Sequence, residues 1–118
     1  MKPSNSTFKL AASPVFRITL QRFKAFLNAR LGDESTTRVV ENIKSRLKED
    51  LEPNPYLAPI SERLLALGLN EYRQFMTDEH NLVIYRVDEL QHEIVLLLIM
   101  DSRQSIRKLL FEVNLLMN

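Results

Sequence analysis

Three apolar runs lie close together near the C-terminal end of the chain, separated by two short polar connections. The first, 72–77, ends at the turn-forming sequence Asp-Glu-His-Asn, and the second, 82–87, ends at Asp-Glu. The third, 94–100, is apolar at every position. Runs joined in this way predict an antiparallel meander. Because a strand that is apolar on both sides must be buried, we expect 94–100 at the centre of the sheet, with helices against one face.

A helix over residues 15–31 is predicted by its opening and by its apolar spacing. Ser13 and Pro14 provide an N-cap and a first helical residue. Large apolar residues then recur every three or four positions, and Gly32 ends the pattern.

A second helix is predicted to run to about Leu51, capped by Asp33 or Ser35, with apolar residues again at helical spacing. So short a connection between the two helices requires an antiparallel hairpin.

The other segments are assigned by simpler signals. Residues 8–12 are expected to form an edge strand that joins the sheet, and 52–59 contain three prolines, which indicates a linker. Residues 60–67 form a possible short helix ended by Gly68. Apolar residues at helical spacing predict a C-terminal helix over 105–117. The predicted fold class is therefore α+β, with an N-terminal helical hairpin packed on a small antiparallel sheet.

Length and composition fit one soluble domain over 1–118. The chain has no cysteine, which excludes disulfides, thiolate zinc sites and thiol nucleophiles. No apolar run approaches the ~20 residues of a membrane span, and the N-terminus lacks the apolar core of a signal peptide. We therefore expect a cytoplasmic protein with no membrane association. The two histidines, His80 and His92, lie in predicted turns with no His or Cys at metal-ligand spacing around them, so no metal or other cofactor is expected.

Charge is distributed unevenly along the chain. Residues 1–30 carry six Lys or Arg side chains and no acid, whereas 71–118 carry eight acids and five bases. A nucleic-acid surface built on the predicted sheet would have to overcome this acidic charge. Direct, sequence-specific binding of nucleic acid is therefore not expected.

Three arginines lie in or beside the predicted sheet: Arg73, Arg86 and Arg103. Arginine presents a fixed fork of donors that suits phosphate or carboxylate groups. The same chemistry serves structural pairing with the acids that neighbour each arginine in sequence. Chemistry alone favours ion pairing over a binding site.

The order of elements, together with several short motifs, resembles the RelE/ParE toxin superfamily of bacterial type II toxin–antitoxin systems. The matching stretches are the proline-rich link followed by LLALGLNEYRQF, then IYRVDE, then LLLIMDSRQSIRKLL. The similarity covers nearly the whole chain and is strongest over 53–110. It implies a toxin domain neutralised by a cognate antitoxin protein.

Two mechanisms occur in this superfamily, and the sequence departs from one of them. RelE-type members are ribosome-dependent messenger-RNA endonucleases with a basic cluster on the sheet. Leu82 stands where such enzymes commonly have arginine, Asp101 stands where they often have histidine or another polar or basic group, and only Arg103 matches a catalytic-type arginine. The resemblance therefore favours the ParE type, which contacts DNA gyrase and has no catalytic residues. A RelE-type nuclease acting on the ribosome is the alternative, and a non-toxic binding module is a third possibility.

The resemblance also implies where partners bind. The natural site for an acidic amphipathic antitoxin segment is the basic hairpin, through Arg17, Arg22 and Lys24. On the predicted second meander strand, Tyr85 and Arg86 point to opposite faces. We assign Tyr85 to the helix-facing core, with its hydroxyl bonded near the rim.

Arg86 then shares the open face with Leu82 and Ile84. Arginine amid apolar area is typical of a binding hot spot, so we expect Arg86, with Arg73 and Arg103, to anchor the target protein.

Overall fold

Four strands form one mixed sheet in a computed structural model that describes the backbone of residues 8–117 and the side chains of 8–114. The sheet order is β1-β4-β3-β2, so β4 is central, as predicted. The elements are β1 Lys9–Ala12, α1 Pro14–Leu31, α2 Asp33–Arg46, a π-helical turn Leu47–Leu51, α3 Glu62–Leu65, β2 Arg73–Met76, β3 Asn81–Asp88, β4 Glu93–Asp101 and α4 Ile106–Met117.

The meander β2-β3-β4 is antiparallel, as its apolar runs predict. The predicted edge strand is also present, but β1 pairs with β4 in parallel, so the sheet is mixed rather than purely antiparallel. The Ser13 hydroxyl accepts a hydrogen bond from Phe16 N at 3.0 Å, which confirms the predicted start of α1. The predicted cap of α2 was wrong: Gly32 holds that position at φ 86°, and no side chain caps the helix.

Helices cover both faces of the sheet, whereas the sequence predicted cover on one. The helical hairpin packs on the first face around Phe23, Leu51, Tyr85 and other buried residues. The second face is covered by α3 and α4, whose Leu64 and Leu109 pack on β3 and β4. The second layer of helices is what allows the apolar β4 to be buried on both sides.

A β-bulge interrupts the β3–β4 ladder and changes which residues of β4 face each core. Ile84 pairs with Leu98 and Tyr85 pairs with Leu96, so Leu97 is an extra residue without a partner on β3. Leu98 is fully buried, whereas Leu97 is only half-buried. The alternation along β4 therefore shifts by one residue: Ile94, Leu96 and Ile99 face the first core, whereas Leu98 and Met100 face the second.

Tyr85 joins the proline-rich linker to the sheet, in the position that the sequence predicted. The side chain is fully buried in the first core, and its hydroxyl donates to the Pro55 carbonyl at 2.7 Å. The same oxygen accepts from Ala58 N at 3.4 Å. Burial raises the pKa of the Tyr85 hydroxyl above its ordinary value, so this group is a neutral structural donor.

Candidate functional site

The three arginines singled out by the sequence do not form one cluster. Arg73 pairs with Tyr85 in the β2–β3 ladder and so lies on the face that carries the hairpin. Its Nη1 donates to the Ala58 carbonyl at 2.7 Å, and its guanidinium lies 5.0 Å from the centre of the Tyr56 ring. Arg73 therefore holds the linker against β2.

Arg86 lies on the opposite face of the sheet from Arg73. It shares that face with Leu82 and Ile84, as expected, but both leucine and isoleucine are fully buried beneath α3 and α4. The expectation of an open apolar surface around Arg86 was therefore wrong, because a second layer of helices covers it. Arg86 itself is half-buried, and its nearest acid is Asp88 at 3.9 Å.

Arg103 is engaged by the carboxylate of Asp101 at the end of β4. Its Nε and Nη2 donate to the two carboxylate oxygens at 2.7 and 2.6 Å, and its backbone N–H donates to Oδ1 at 2.9 Å. The Asp101 side chain is almost completely buried. The hydrogen bonds from Arg103 hold the pKa of Asp101 below its usual range, which keeps the carboxylate charged.

A small basic patch surrounds Phe26 on α1. The Arg30 guanidinium lies 4.5 Å from the centre of this ring and the Arg103 guanidinium lies 5.9 Å from it. Lys108, on the first turn of α4, lines the same cleft as Arg103. The patch combines an aromatic ring with positive charge, although Asp101 already neutralises Arg103.

The hairpin residues predicted to bind an antitoxin point to different places. Arg22 donates to Glu112 of α4 at 2.9 Å and so ties α1 to the C-terminal helix. Lys24 lines a polar pocket between α1 and α2. Arg17 is exposed and lines a separate, apolar groove.

This groove, of about 290 Å³, runs between the hairpin and the edge of the sheet. Within the described residues its charged lining comes from Arg17 and Lys44, both basic, and no acid lines it. Its apolar lining is supplied by α1, α2, the π-helical turn, β1 and β4, through Leu10, Ala12, Phe16, Leu20, Val40, Ile43, Leu47, Leu96 and Ile99.

The outer edge of β1 continues the groove. Lys9 N donates to the His92 carbonyl and Ser13 N donates to the Leu96 carbonyl, so this set of backbone groups faces β4. The alternating set, at Leu10 and Ala12, faces outward. Side chains of the same two residues line the groove.

Sequence reasoning missed Lys44. It follows Ile43 and lies four residues after Val40, both of which belong to the buried stripe of α2. That spacing places Lys44 at the margin of the stripe. Its position is therefore predictable from the apolar spacing of α2, although the basic charge of the chain is most concentrated in residues 1–30.

Among the described residues, no group of three or more His, Cys, Asp or Glu side chains could hold a metal ion. Two of the three sheet arginines are occupied by bonds within the chain. In the same part of the chain, no helix is both long and apolar enough to cross a membrane.

No protein-family model matches the chain, and no curated protein matches it in sequence. Solved structures do match. A chain of the chromosomal ParDE toxin–antitoxin system from P. aeruginosa superposes with a TM-score of 0.65 at 17% identity, over 83% of this chain and 99% of that one.

A chain of the RelBE2 toxin–antitoxin complex from Mycobacterium tuberculosis superposes with a TM-score of 0.53 at 15% identity, over 80% of this chain and 98% of that one. At these identities the likeness establishes the fold. The chain has the RelE/ParE-like fold, as its motifs implied.

Proposed function

We propose that this chain is the toxin of a type II toxin–antitoxin system, and that it acts by contacting a target protein. The fold supports the first part, because it matches nearly whole chains of two toxin–antitoxin systems. The second part rests on one observation, the pairing of Arg103 with the buried Asp101. This pairing occupies the one arginine that matched a catalytic type.

The proposed target is DNA gyrase. Cleaving RNA requires a base for the 2′-hydroxyl and positive charge near the developing phosphorane. Leu82 is fully buried at the position where RelE-type enzymes commonly carry an arginine, and the Asp101 carboxylate is held charged by Arg103. This chemistry supports a protein that binds its target rather than one that cuts RNA.

Arg86 is the sheet arginine best placed to contact the target. Its contact with Asp88 is long, at 3.9 Å between partly exposed side chains, and such pairs contribute little to stability. Arg73 and Arg103, in contrast, hold the linker and the β4–α4 turn. We therefore assign the target contact to Arg86 and structural roles to the other two.

The proposed antitoxin site is the apolar groove together with the outer edge of β1. An apolar floor and a basic rim suit an acidic amphipathic segment, which would order as it binds. The outward backbone groups of β1 offer hydrogen bonds to any part of that segment that is extended. Of the residues predicted from the sequence, Arg17 is kept in the proposed site, and Lys44 is added because it lines the same groove. Arg22 is removed because it is bonded to Glu112.

The second candidate function is ribosome-dependent cleavage of messenger RNA. The patch around Phe26 favours it, because arginine and an aromatic ring can contact phosphates and bases. The acid that neutralises Arg103 weighs against it.

The test is to express the chain without antitoxin and to follow plasmid supercoiling and protein synthesis after induction. Loss of supercoiling before loss of translation supports the proposal. Earlier loss of translation supports the nuclease. If growth continues at full rate, the toxin assignment fails. Arg86→Ala should weaken growth inhibition with an unchanged melting temperature, whereas a drop in both would make Arg86 structural.

A further inference from the structure

The outer edge of β2 leaves backbone groups open at one end. Thr77 N donates to the Asn81 carbonyl, so the odd-numbered residues of this ladder bond to β3. The N–H and carbonyl groups of Gln74 and Met76 therefore point away from β3. Gln74 N–H is used, because it donates to the Pro59 carbonyl at 2.9 Å.

Pro59 explains why the linker protects only part of this edge. The linker bridges to β2 where Ile60 pairs with Arg73. Proline has no N–H, so Pro59 cannot return a hydrogen bond to the Gln74 carbonyl. That carbonyl and both backbone groups of Met76 bond to no backbone group in the described part of the chain.

An apolar groove of about 510 Å³ lies beside these open groups. Three of its lining side chains are large, apolar and exposed: Leu57 by 49%, Ile60 by 37% and Met76 by 41%. Native proteins usually protect an open edge with charge, proline or cover, and here the strand carries none of these at Met76. The charged residues lining the groove are Glu62 and Arg63, one of each sign, so charge does not favour a partner of either sign.

We infer that this surface, which we call the β2 edge site, binds an extended segment of a partner protein that adds a strand beside Met76. The open backbone groups bind a segment in strand conformation, and the groove accepts an apolar side chain of that segment. A short segment can bind through a single groove and a few backbone groups, whereas a stable dimer of this chain would have to bury roughly 1,200–2,000 Å².

The β2 edge site is separate from the proposed antitoxin site. The sheet order β1-β4-β3-β2 places the two open edges on opposite sides of the sheet. A partner at β2 could therefore bind while the groove beside β1 is filled. The inference does not depend on toxicity.

The experiment selects short random peptides displayed on phage against the whole chain. Met76→Pro is the decisive variant, because it removes an N–H that points away from β3 and proline is tolerated on strand edges. Met76→Ala keeps the N–H while removing the apolar side chain, and Arg17→Glu is the control at the other edge. Circular dichroism of each variant checks the fold.

We expect selected peptides that are rich in apolar residues and that bind at least about tenfold more weakly to Met76→Pro. Their affinity for Arg17→Glu should equal that for the wild-type chain. Hydrogen exchange at the Met76 amide should slow when such a peptide is bound. A selection that yields no binder, or binders indifferent to Met76→Pro, would overturn the inference. Self-association that Met76→Pro abolishes would also overturn it, in favour of a second copy. Should Met76→Pro unfold, peptide-induced protection of the Met76 amide in the wild-type chain decides the question.

Discussion

Arg103 and Asp101 bind each other where β4 ends, through guanidinium-to-carboxylate contacts of 2.7 and 2.6 Å. The aspartate is almost completely buried, and the arginine is about half exposed. A third bond, from the Arg103 backbone N–H to the same carboxylate, fixes the turn that leads to α4. The arginine that most resembles a catalytic group is therefore part of the fold.

Replacing Arg103 by methionine should lower the melting temperature clearly, because it leaves a buried carboxylate without its partner. Arg38→Met is the matched control, since Arg38 forms an exposed pair with Glu34 at 3.7 Å and such pairs contribute little. Thermal unfolding followed by circular dichroism compares the two variants. Equal melting temperatures would show that the Arg103 pair has no structural role.

Stability should fall in acid because of the same pair. The pKa of Asp101 is lower in the folded chain than the ~3.9 of a free aspartate. The contribution of Asp101 to the free energy of unfolding is thus complete above the pKa that it has in the unfolded chain. That contribution is lost as the pH falls through its pKa in the folded chain. Urea unfolding at a series of pH values should show a shallower loss of stability below about pH 4 for Asp101→Asn than for the wild-type chain. If the free energy of unfolding falls with pH equally steeply in Asp101→Asn and in the wild-type chain, Asp101 is not the source of the acid sensitivity.

Pairing of the sheet arginines with neighbouring acids was favoured by the sequence, and it occurs between Arg86 and Asp88 and between Arg103 and Asp101. Asp101 and Arg103 are two residues apart, and whether they meet depends on the turn after β4, which no periodic pattern predicts. The position of Arg86 was predicted correctly by alternation along β3. The burial of the residues around Arg86 was not predicted, because it depends on how α3 and α4 pack on the sheet.

Leu98→Asp should unfold the protein, whereas Leu97→Asp should cost less. Leu98 is fully buried, and an unpaired buried charge costs several kcal/mol. Leu97 is the half-buried residue of the bulge, so an aspartate there can reach water. Far-ultraviolet circular dichroism at 25 °C, compared for the two variants, checks this order. Unfolding by Leu97→Asp alone would mean that the bulge is misplaced.

This order of burial could not be read from the sequence. Residues 94–100 are apolar throughout, so the pattern predicts a central strand without ranking its members. Helix boundaries were easier, because Ser13 and Pro14 provide a local signal. The parallel pairing of β1 joins distant segments and depends on the whole chain between them.

Reversing charge at the groove should weaken antitoxin binding. Arg17→Glu combined with Lys44→Glu places two acids beside a site proposed for an acidic segment. Arg38→Glu, on the same helix as Lys44 but away from the groove lining, is the control. Calorimetric titration with the cognate antitoxin should show a loss of at least about tenfold for the double variant.

If the antitoxin binds the Arg17→Glu/Lys44→Glu variant as tightly as it binds the Arg38→Glu control, the groove is not the antitoxin site. A loss confined to Arg22→Glu and Lys24→Glu would return the site to the positions first predicted from the sequence.

Supercoiling by purified DNA gyrase, measured with increasing amounts of this chain, tests the central proposal most directly. We expect inhibition by the chain alone, restored activity when antitoxin is added, and weaker inhibition by Arg86→Ala. Full gyrase activity at every concentration, together with new messenger-RNA ends at the ribosomal A site in a parallel translation reaction, would contradict the proposal and establish the nuclease.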